Sequence, residues 1–211
     1  EGKGALIGLL RSTPDGVPQR KGLRKMYANS GIGEADYQRY DRNVTAAAIK
    51  WLGEHVKGHD KPFVLFISYA SPHPPFSVPK RLFDKYPPEK MPLPVQWKKD
   101  ERPDHPAIAH IRFQDSLEEP FDEQFVRNVV AGYCGLVNHL DEQIGEVMGV
   151  AEELGLLEDT RILYTSDHGE AAGNHCLFGK SNLYEHSLGV PIIMSGPDIQ
   201  PGSTVSQIVS H

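Results

Sequence analysis

The sequence predicts an α/β fold, a largely parallel sheet flanked by helices. Two stretches carry apolar residues at three- and four-residue steps, the mark of amphipathic helices. Three short apolar runs read as strands. Strands and helices alternate along the chain, which is the order that builds parallel sheets.

Residues 1 to about 34 are rich in Gly, Lys and Arg without a clear period. They read as loop with one short helix. From Ala35 to Val56 the residues Tyr37, Tyr40, Val44, Ala48, Trp51, Leu52 and Val56 recur at helical spacing, and Gly58 closes that helix. Pro62 to Tyr69 is a continuous apolar run, so a strand buried on both faces is expected. Three prolines within Ser71-Pro-His-Pro-Pro-Phe76 end it, because proline continues neither a strand nor a helix. His73 sits at that exit. Residues 77–121 hold many prolines and charges and read as a long surface excursion with a short helix near Lys80 to Lys85. A long helix follows from Asp122 to Leu154, ended by Gly155. Arg161 to Ser166 and Val190 to Ser195 are the second and third strands. No internal repeat is visible.

The bulk numbers restrict the function classes. The chain has 211 residues, 39% hydrophobic and 24% charged, which suits one domain with a real core. The net charge of -6 argues against a nucleic-acid partner, which would require a clustered basic face. No apolar run approaches the ~20 residues that cross a bilayer. Cys134 and Cys176 form no Cys-x-x-Cys pair, so a structural zinc site has no support. They read as two free thiols, one on a helix and one in a loop. Compartment stays open: periplasmic, secreted or cytoplasmic in a bacterium, lysosomal in a eukaryote. Oligomeric state is equally open.

In open α/β sheets ligands bind beyond the carboxyl ends of the strands. Both histidine-bearing clusters fall there. Asp167-His168-Gly169-Glu170 follows the second strand, and Asp and His are ligands for hard-to-borderline cations. An isolated pair of this kind is more often a helix cap beside a surface histidine; the position after an apolar strand reverses that preference. Lys180, in Phe178-Gly-Lys-Ser181, is a compact point charge suited to phosphate or sulfate oxygens. Taken alone, a solvated lysine is the commoner case. His175 lies five residues before it in the same loop. His73 can donate a hydrogen bond or a proton near neutral pH, and a loop histidine with no role is the alternative. His186 reads as structural, Cys176 as a bystander thiol, and Asp141 as a helix-orienting or salt-bridging residue.

Together, Phe63–Phe76, Val137–Gly145, Thr165–Glu170, Gly173–Lys180 and Tyr184–Ile193 resemble, in order and spacing, the sulfatase family of the alkaline-phosphatase-like superfamily. The Asp-His form is similar to choline-sulfatase-like and iduronate-sulfatase-like members. The resemblance implies an alkaline-phosphatase-like fold and the hydrolysis of small-molecule or carbohydrate sulfate esters. It implies that Asp167 and His168 are two ligands of a divalent cation, calcium first, with manganese or magnesium as alternatives. It implies that Lys180 holds a sulfate oxygen and the leaving group. It implies that His73 contacts the sulfate and protonates the leaving oxygen, and that His175 contacts substrate.

The departures define the expectation further. Sulfatases attack with a formylglycine made within a Cys/Ser-x-Pro-Ser-x-Arg motif, and these residues contain no such motif. The early Asp-Asp pair of metal ligands is missing too. The chain is therefore expected to be an incomplete, central piece of a sulfatase catalytic domain, with the nucleophile segment and a C-terminal part elsewhere. A phosphonate monoester or phosphodiester hydrolase of the same superfamily is the alternative. A degenerate, non-catalytic fragment is the third reading. By itself the 211-residue chain is expected to turn nothing over and to bind calcium weakly.

Overall fold

The computed structural model describes residues 21–56, 61–207 and 209. The first twenty residues, Gly58 and the last residues, part of the sequence readings above, lie outside that set.

Helix α1 (Lys21–Ala28) supplies the short helix expected near the start. Strand β1 (Gly31–Ile32) follows. Helix α2 (Asp36–His55) occupies almost the predicted span. The predicted stripe holds in its second half, where Ala48 and Leu52 are buried and Trp51 and Val56 pack against them. Gln38, Asp41, Thr45, Ala48 and Leu52 are buried, whereas Tyr37 and Tyr40 are exposed. Gln38 and Asp41 share the buried face because backbone groups take them as partners, and Thr45 meets the hydroxyl of Tyr69.

The apolar run after α2 is a correction. Phe63, Leu65 and Ile67 pack on a cluster formed by Ala48 and Leu52 of α2 with Val147. Val64 is 96% exposed and Phe66 87%. The run is extended but pairs with no strand among the described residues, so it is covered on one face, not two. Its alternating exposure is the period-2 consequence of that one-sided packing.

The predicted surface excursion is more ordered than expected. It contains β2 (Ser77–Val78), α3 (Lys80–Phe83), a 3-10 turn at Pro88–Lys90 and α4 (Pro106–Gln114). Strand β2 pairs in parallel with β1, Gly31 opposite Ser77 and Ile32 opposite Val78. Pro106 opens α4 at a position where a missing N–H costs nothing. Buried Ile111 then packs with Ala171 and Leu177. Proline and charge content masked these contacts in the sequence.

Helix α5 (Glu123–Glu153) is the long helix expected. The Asp122 carboxylate caps it by accepting from Phe125 N at 2.7 Å, and Gly155, with φ 71°, turns the chain away. Asp141 is exposed, and it is its neighbour Glu142 that receives Arg81. Strand β3 (Ile162–Thr165) pairs with β4 (Ile192–Ser195), Ile162 opposite Ser195. This pair is antiparallel. The link between them holds loops, a 3-10 turn at Asn174–Cys176 and the four-residue helix α6 (Glu185–Leu188), with no long helix of the kind that usually carries a parallel crossover. The architecture remains α/β, with two small strand pairs set among helices.

The main core joins α1, β2, α3 and α5: Tyr27, Phe76, Val78, Leu82, Leu117, Val129, Leu136 and Phe178. Gly132 lets α5 lie directly on the chain before β2. A Cβ there would fall far inside contact distance of the Phe76 carbonyl oxygen. That obstacle is backbone and cannot swing aside. Gly132→Ala is therefore expected to destabilise the protein by about 2 kcal/mol, overpacking outweighing the ~1 kcal/mol gained in helix propensity. Urea unfolding of the two proteins measures this; equal stability would show that the helix shifts freely.

Candidate active site

His73 stands where the extended run ends. Its position is fixed by Asp41 of α2, which is fully buried. One Asp41 oxygen accepts from Ala70 N at 2.7 Å and the other from Ser71 N at 2.9 Å. His73 N then donates to Ala70 O at 2.9 Å. Its ring lies edge-on to Tyr37, with centroids 4.9 Å apart. His73 Nδ1 is 2.7 Å from the Pro74 carbonyl. A carbonyl only accepts, so Nδ1 carries a hydrogen and Nε2 is the nitrogen able to hold or release a proton.

Asp167 and His168 leave the end of β3. His168 Nδ1 lies 2.9 Å from Gly169 O, so it too is a donor. Its Nε2 lies 3.4 Å from Asp167 Oδ2. A nitrogen lone pair and a carboxylate oxygen facing each other attract only with a cation between them, a proton or a metal. That donor pair fits two ligands of a divalent cation. Among the described residues no group of three or more His, Cys, Asp or Glu is placed to hold one. Gly169 permits the turn: a Cβ there would collide with the backbone oxygen of His186, and Gly169 N donates to Ser187 O at 2.9 Å.

Glu170, given no role by the sequence, organises the rest. Its Oε1 accepts from Ala172 N at 2.9 Å and from Gly179 N at 2.7 Å. Its Oε2 accepts from the hydroxyl of Tyr27 at 3.0 Å. The loop is thereby folded back so that Gly179, with φ 77°, is pinned next to Glu170. Ala171 N donates to Gly179 O at 2.9 Å and completes the clasp. Lys180 follows the pinned residue. It is exposed, and no hydrogen bond or ion pair engages its ammonium among the described residues.

Tyr27 connects the two exits. It is fully buried. Its ring packs 5.3 Å from Phe76, three residues past His73, and 4.6 Å from Phe178, two residues before Lys180. The structure thus ties Glu170 to Gly179 by a hydrogen bond, and Tyr27 packs between Phe178 and Phe76 of the segment that carries His73.

His175 is directed elsewhere. Its Nδ1 is 2.8 Å from Gln96 Oε1, and its ring stacks on Tyr184 at 4.0 Å. His186 lies in α6, as expected of a structural residue, with its ring 5.3 Å from that of His175. Burial lowers the proton affinity of both imidazoles. Cys134 and Cys176 are free thiols. Burial pushes both upward, away from the thiolate a nucleophile needs.

Burial, ahead of the Glu170 charge, holds the Tyr27 phenol far above its ordinary value, and Tyr133 is raised for the same two reasons. A raised folded value means that stability is complete below the unfolded value near pH 10 and is lost as pH rises beyond it. The expected slope is about 1.4 kcal/mol per pH unit from Tyr27 alone. Unfolding followed from about pH 8 to about pH 11.5 measures it, and Tyr27→Phe should remove its share. An unchanged slope in that variant would show that Tyr27 ionises freely in the folded protein.

The fold is alkaline-phosphatase-like. The phosphonate monoester hydrolase SpPMH of Silicibacter pomeroyi superposes with a TM-score of 0.65 at 24% identity, over 84% of this chain and 39% of that one. The phosphonate monoester hydrolase of Agrobacterium radiobacter gives 0.64 at 23% identity, over 80% and 36%. The sulfatase family profile matches residues 11–211. The chain belongs to the sulfatase family. Arylsulfatase K of Xenopus laevis is 30% identical over 182 residues, 80% of this chain and 33% of that protein. The multifunctional alkaline phosphatase superfamily protein PehA of Trinickia caryophylli is 37% identical over 156 residues, 66% and 30%. The chain spans about a third of the length of these curated relatives. Members of this superfamily use divalent metals. Among the described residues no helix is long and apolar enough to cross a membrane.

Proposed function

We propose that these residues form part of the active site of a sulfuric ester hydrolase, the part that holds the sulfate and receives the leaving oxygen. The observation that supports this is the Glu170 clasp, which folds the loop back so that Gly179, the neighbour of Lys180, lies against the segment that follows Asp167 and His168. Asp167 and His168 would hold a divalent cation, calcium by preference. When bound, the cation supplies positive charge against the sulfate oxygens. Lys180 offers its ammonium to a sulfate oxygen and to the leaving oxygen as negative charge develops there. His73 gives the proton on Nε2 to the leaving oxygen as its bond to sulfur breaks. The nucleophile, a formylglycine, belongs to a motif that these 211 residues do not contain.

A second reading is a phosphonate monoester hydrolase. The same groups suit a phosphoryl centre, and proteins of that activity share the fold. The full-length protein, assayed on aryl sulfates beside phosphonate and phosphate esters, separates the two. Preferential sulfate release is expected, and Lys180→Ala is expected to lower kcat/KM by about 10²–10³-fold. Clear phosphonate or phosphate hydrolysis with no action on any aryl sulfate would overturn the sulfate assignment.

A further inference from the structure

Tyr37 and Tyr40 begin the apolar stripe of α2, yet the folded chain leaves them outside the core, 37% and 52% exposed. Three residues apart on a helix, they share one face. A cleft of about 430 Å³ lies there, lined by Asp36, Tyr37 and Tyr40 from the helix and by Ser68, Tyr69 and Ala70 from the end of the extended run. That volume falls in the range of small-ligand sites, ~300–1,000 Å³.

The walls are held from behind. The Tyr69 hydroxyl lies 3.2 Å from Oγ1 of buried Thr45. Ala70 N donates to Asp41 at 2.7 Å. Tyr37 and Tyr40 stand at the start of a twenty-residue helix. Rings mounted this way lose little side-chain freedom when something stacks on them. The cleft also adjoins the candidate centre. Tyr37 belongs to both, walling the cleft and packing edge-on against His73 with centroids 4.9 Å apart. His73 is the group set at the leaving oxygen, so whatever that oxygen carries is brought to the tyrosines.

Charge selects the occupant. Asp36 is the charged residue of the lining, and its Oδ1 lies 2.9 Å from Arg39 Nη2. Its charge is compensated, and the guanidinium opposes a cationic ligand. A neutral ring fits instead, its hydrogens turned to the π faces of the tyrosines. Aromatic rings and the C–H faces of sugars both offer such hydrogens.

We propose that Tyr37 and Tyr40 form a stacking subsite for a neutral ring carried by the leaving alcohol of the ester, with Tyr40 as a specificity-determining residue. The inference rests on the reading of His73 and Lys180 as the ester-binding centre.

The full-length protein tests it with two matched pairs of alcohols, each made as sulfate esters and as methylphosphonate monoesters. In the aromatic pair 2-phenylethanol stands beside propanol. In the glycosyl pair the 6-hydroxyl of methyl glucoside stands beside 2-methoxyethanol. Leaving ability is nearly equal within a pair, so the ratio of kcat/KM reads recognition of the ring. A ratio of about tenfold in favour of the ring is expected in at least one pair, and the pair that shows it identifies the ring. Tyr40→Leu keeps an apolar side chain without a ring, and the ratio is expected to fall below about threefold, chiefly through KM. Tyr40→Phe keeps the ring and should retain most of the ratio. Tyr40 is the residue to change because Tyr37 also touches His73; thermal unfolding checks that both variants keep the fold. Ratios near one in both pairs overturn the proposal, and so does a ratio that survives Tyr40→Leu. So does an equal fall in both members of a pair, which would make Tyr40 only a brace of the helix. Lys180→Ala tests the underlying reading apart from the cleft: it should slow both members of a pair alike and leave the ratio standing. If Lys180→Ala slows nothing, the ester centre fails while the ratio still decides the cleft. If no ester is hydrolysed, both fall together.

Discussion

Glu170→Ala is expected to cost about 3–5 kcal/mol of stability, because three donors lose their acceptor together. One is the hydroxyl of Tyr27, which is fully buried and has no water to turn to. The others are the backbone N–H groups of Ala172 and Gly179, whose bonds hold the loop folded back beside Asp167 and His168. Turnover by the full-length protein should fall by about 10²-fold even under conditions where the variant is folded, since freeing Gly179 frees Lys180. Glu170→Gln separates these effects from a simple loss of charge. Its amide oxygen can still accept both backbone hydrogens, and its NH2 can donate to the Tyr27 oxygen. More than half of the stability and of the turnover is expected to return. Urea unfolding with parallel kcat measurements decides the matter: a glutamine variant as impaired as the alanine one would mean that the negative charge, rather than the clasp, is what matters.

The counterpart on the other exit is Asp41. Asp41→Ala leaves Ala70 N and Ser71 N, now 2.7 and 2.9 Å from carboxylate oxygens, without partners in a buried position. The expected loss is about 2–4 kcal/mol. Displacement of His73 should lower kcat by about 10–100-fold. Asp41→Asn keeps one acceptor but has to turn an NH2 toward one of two backbone donors, so it should fall between parent and alanine. Full activity in a folded Asp41→Ala protein would show that the proline-rich segment places His73 unaided.

These two carboxylates mark the limit of sequence reading in this protein. Asp41 lies in a helix that was legible from its period, and Ala48 and Leu52 of its apolar stripe are buried, yet Tyr37 and Tyr40 are exposed where Gln38 and Asp41 are buried. The buried stripe runs through Gln38, Asp41, Thr45, Ala48 and Leu52. A charged residue in step with Ala48 and Leu52 was the available signal. It could not be interpreted without knowing that two backbone amides of a strand exit would face it. Glu170 stood in plain view beside His168. Its partners, Tyr27 and Gly179, are 143 and 9 residues away, and nothing in local composition connects them.

Local chemistry and periodicity determined a good deal without any coordinates. They set the two long helices and the α/β class, the breaks at the proline cluster and at Gly155, and the placing of Asp167 and His168 beyond a strand end. Each depends on residues close in sequence, where spacing and backbone preference decide the outcome. The tertiary structure alone decided that Gln38 and Asp41 join the buried face of α2 and that the apolar run after α2 is covered on one side. It also decided that β3 and β4 pair antiparallel and that α4 belongs to the core. Above all it turned His175 toward Gln96 and gave Asp41 and Glu170 their work. Those outcomes come from groups far apart in the chain competing for the same buried hydrogen bonds and apolar surface, and only the folded geometry settles that competition.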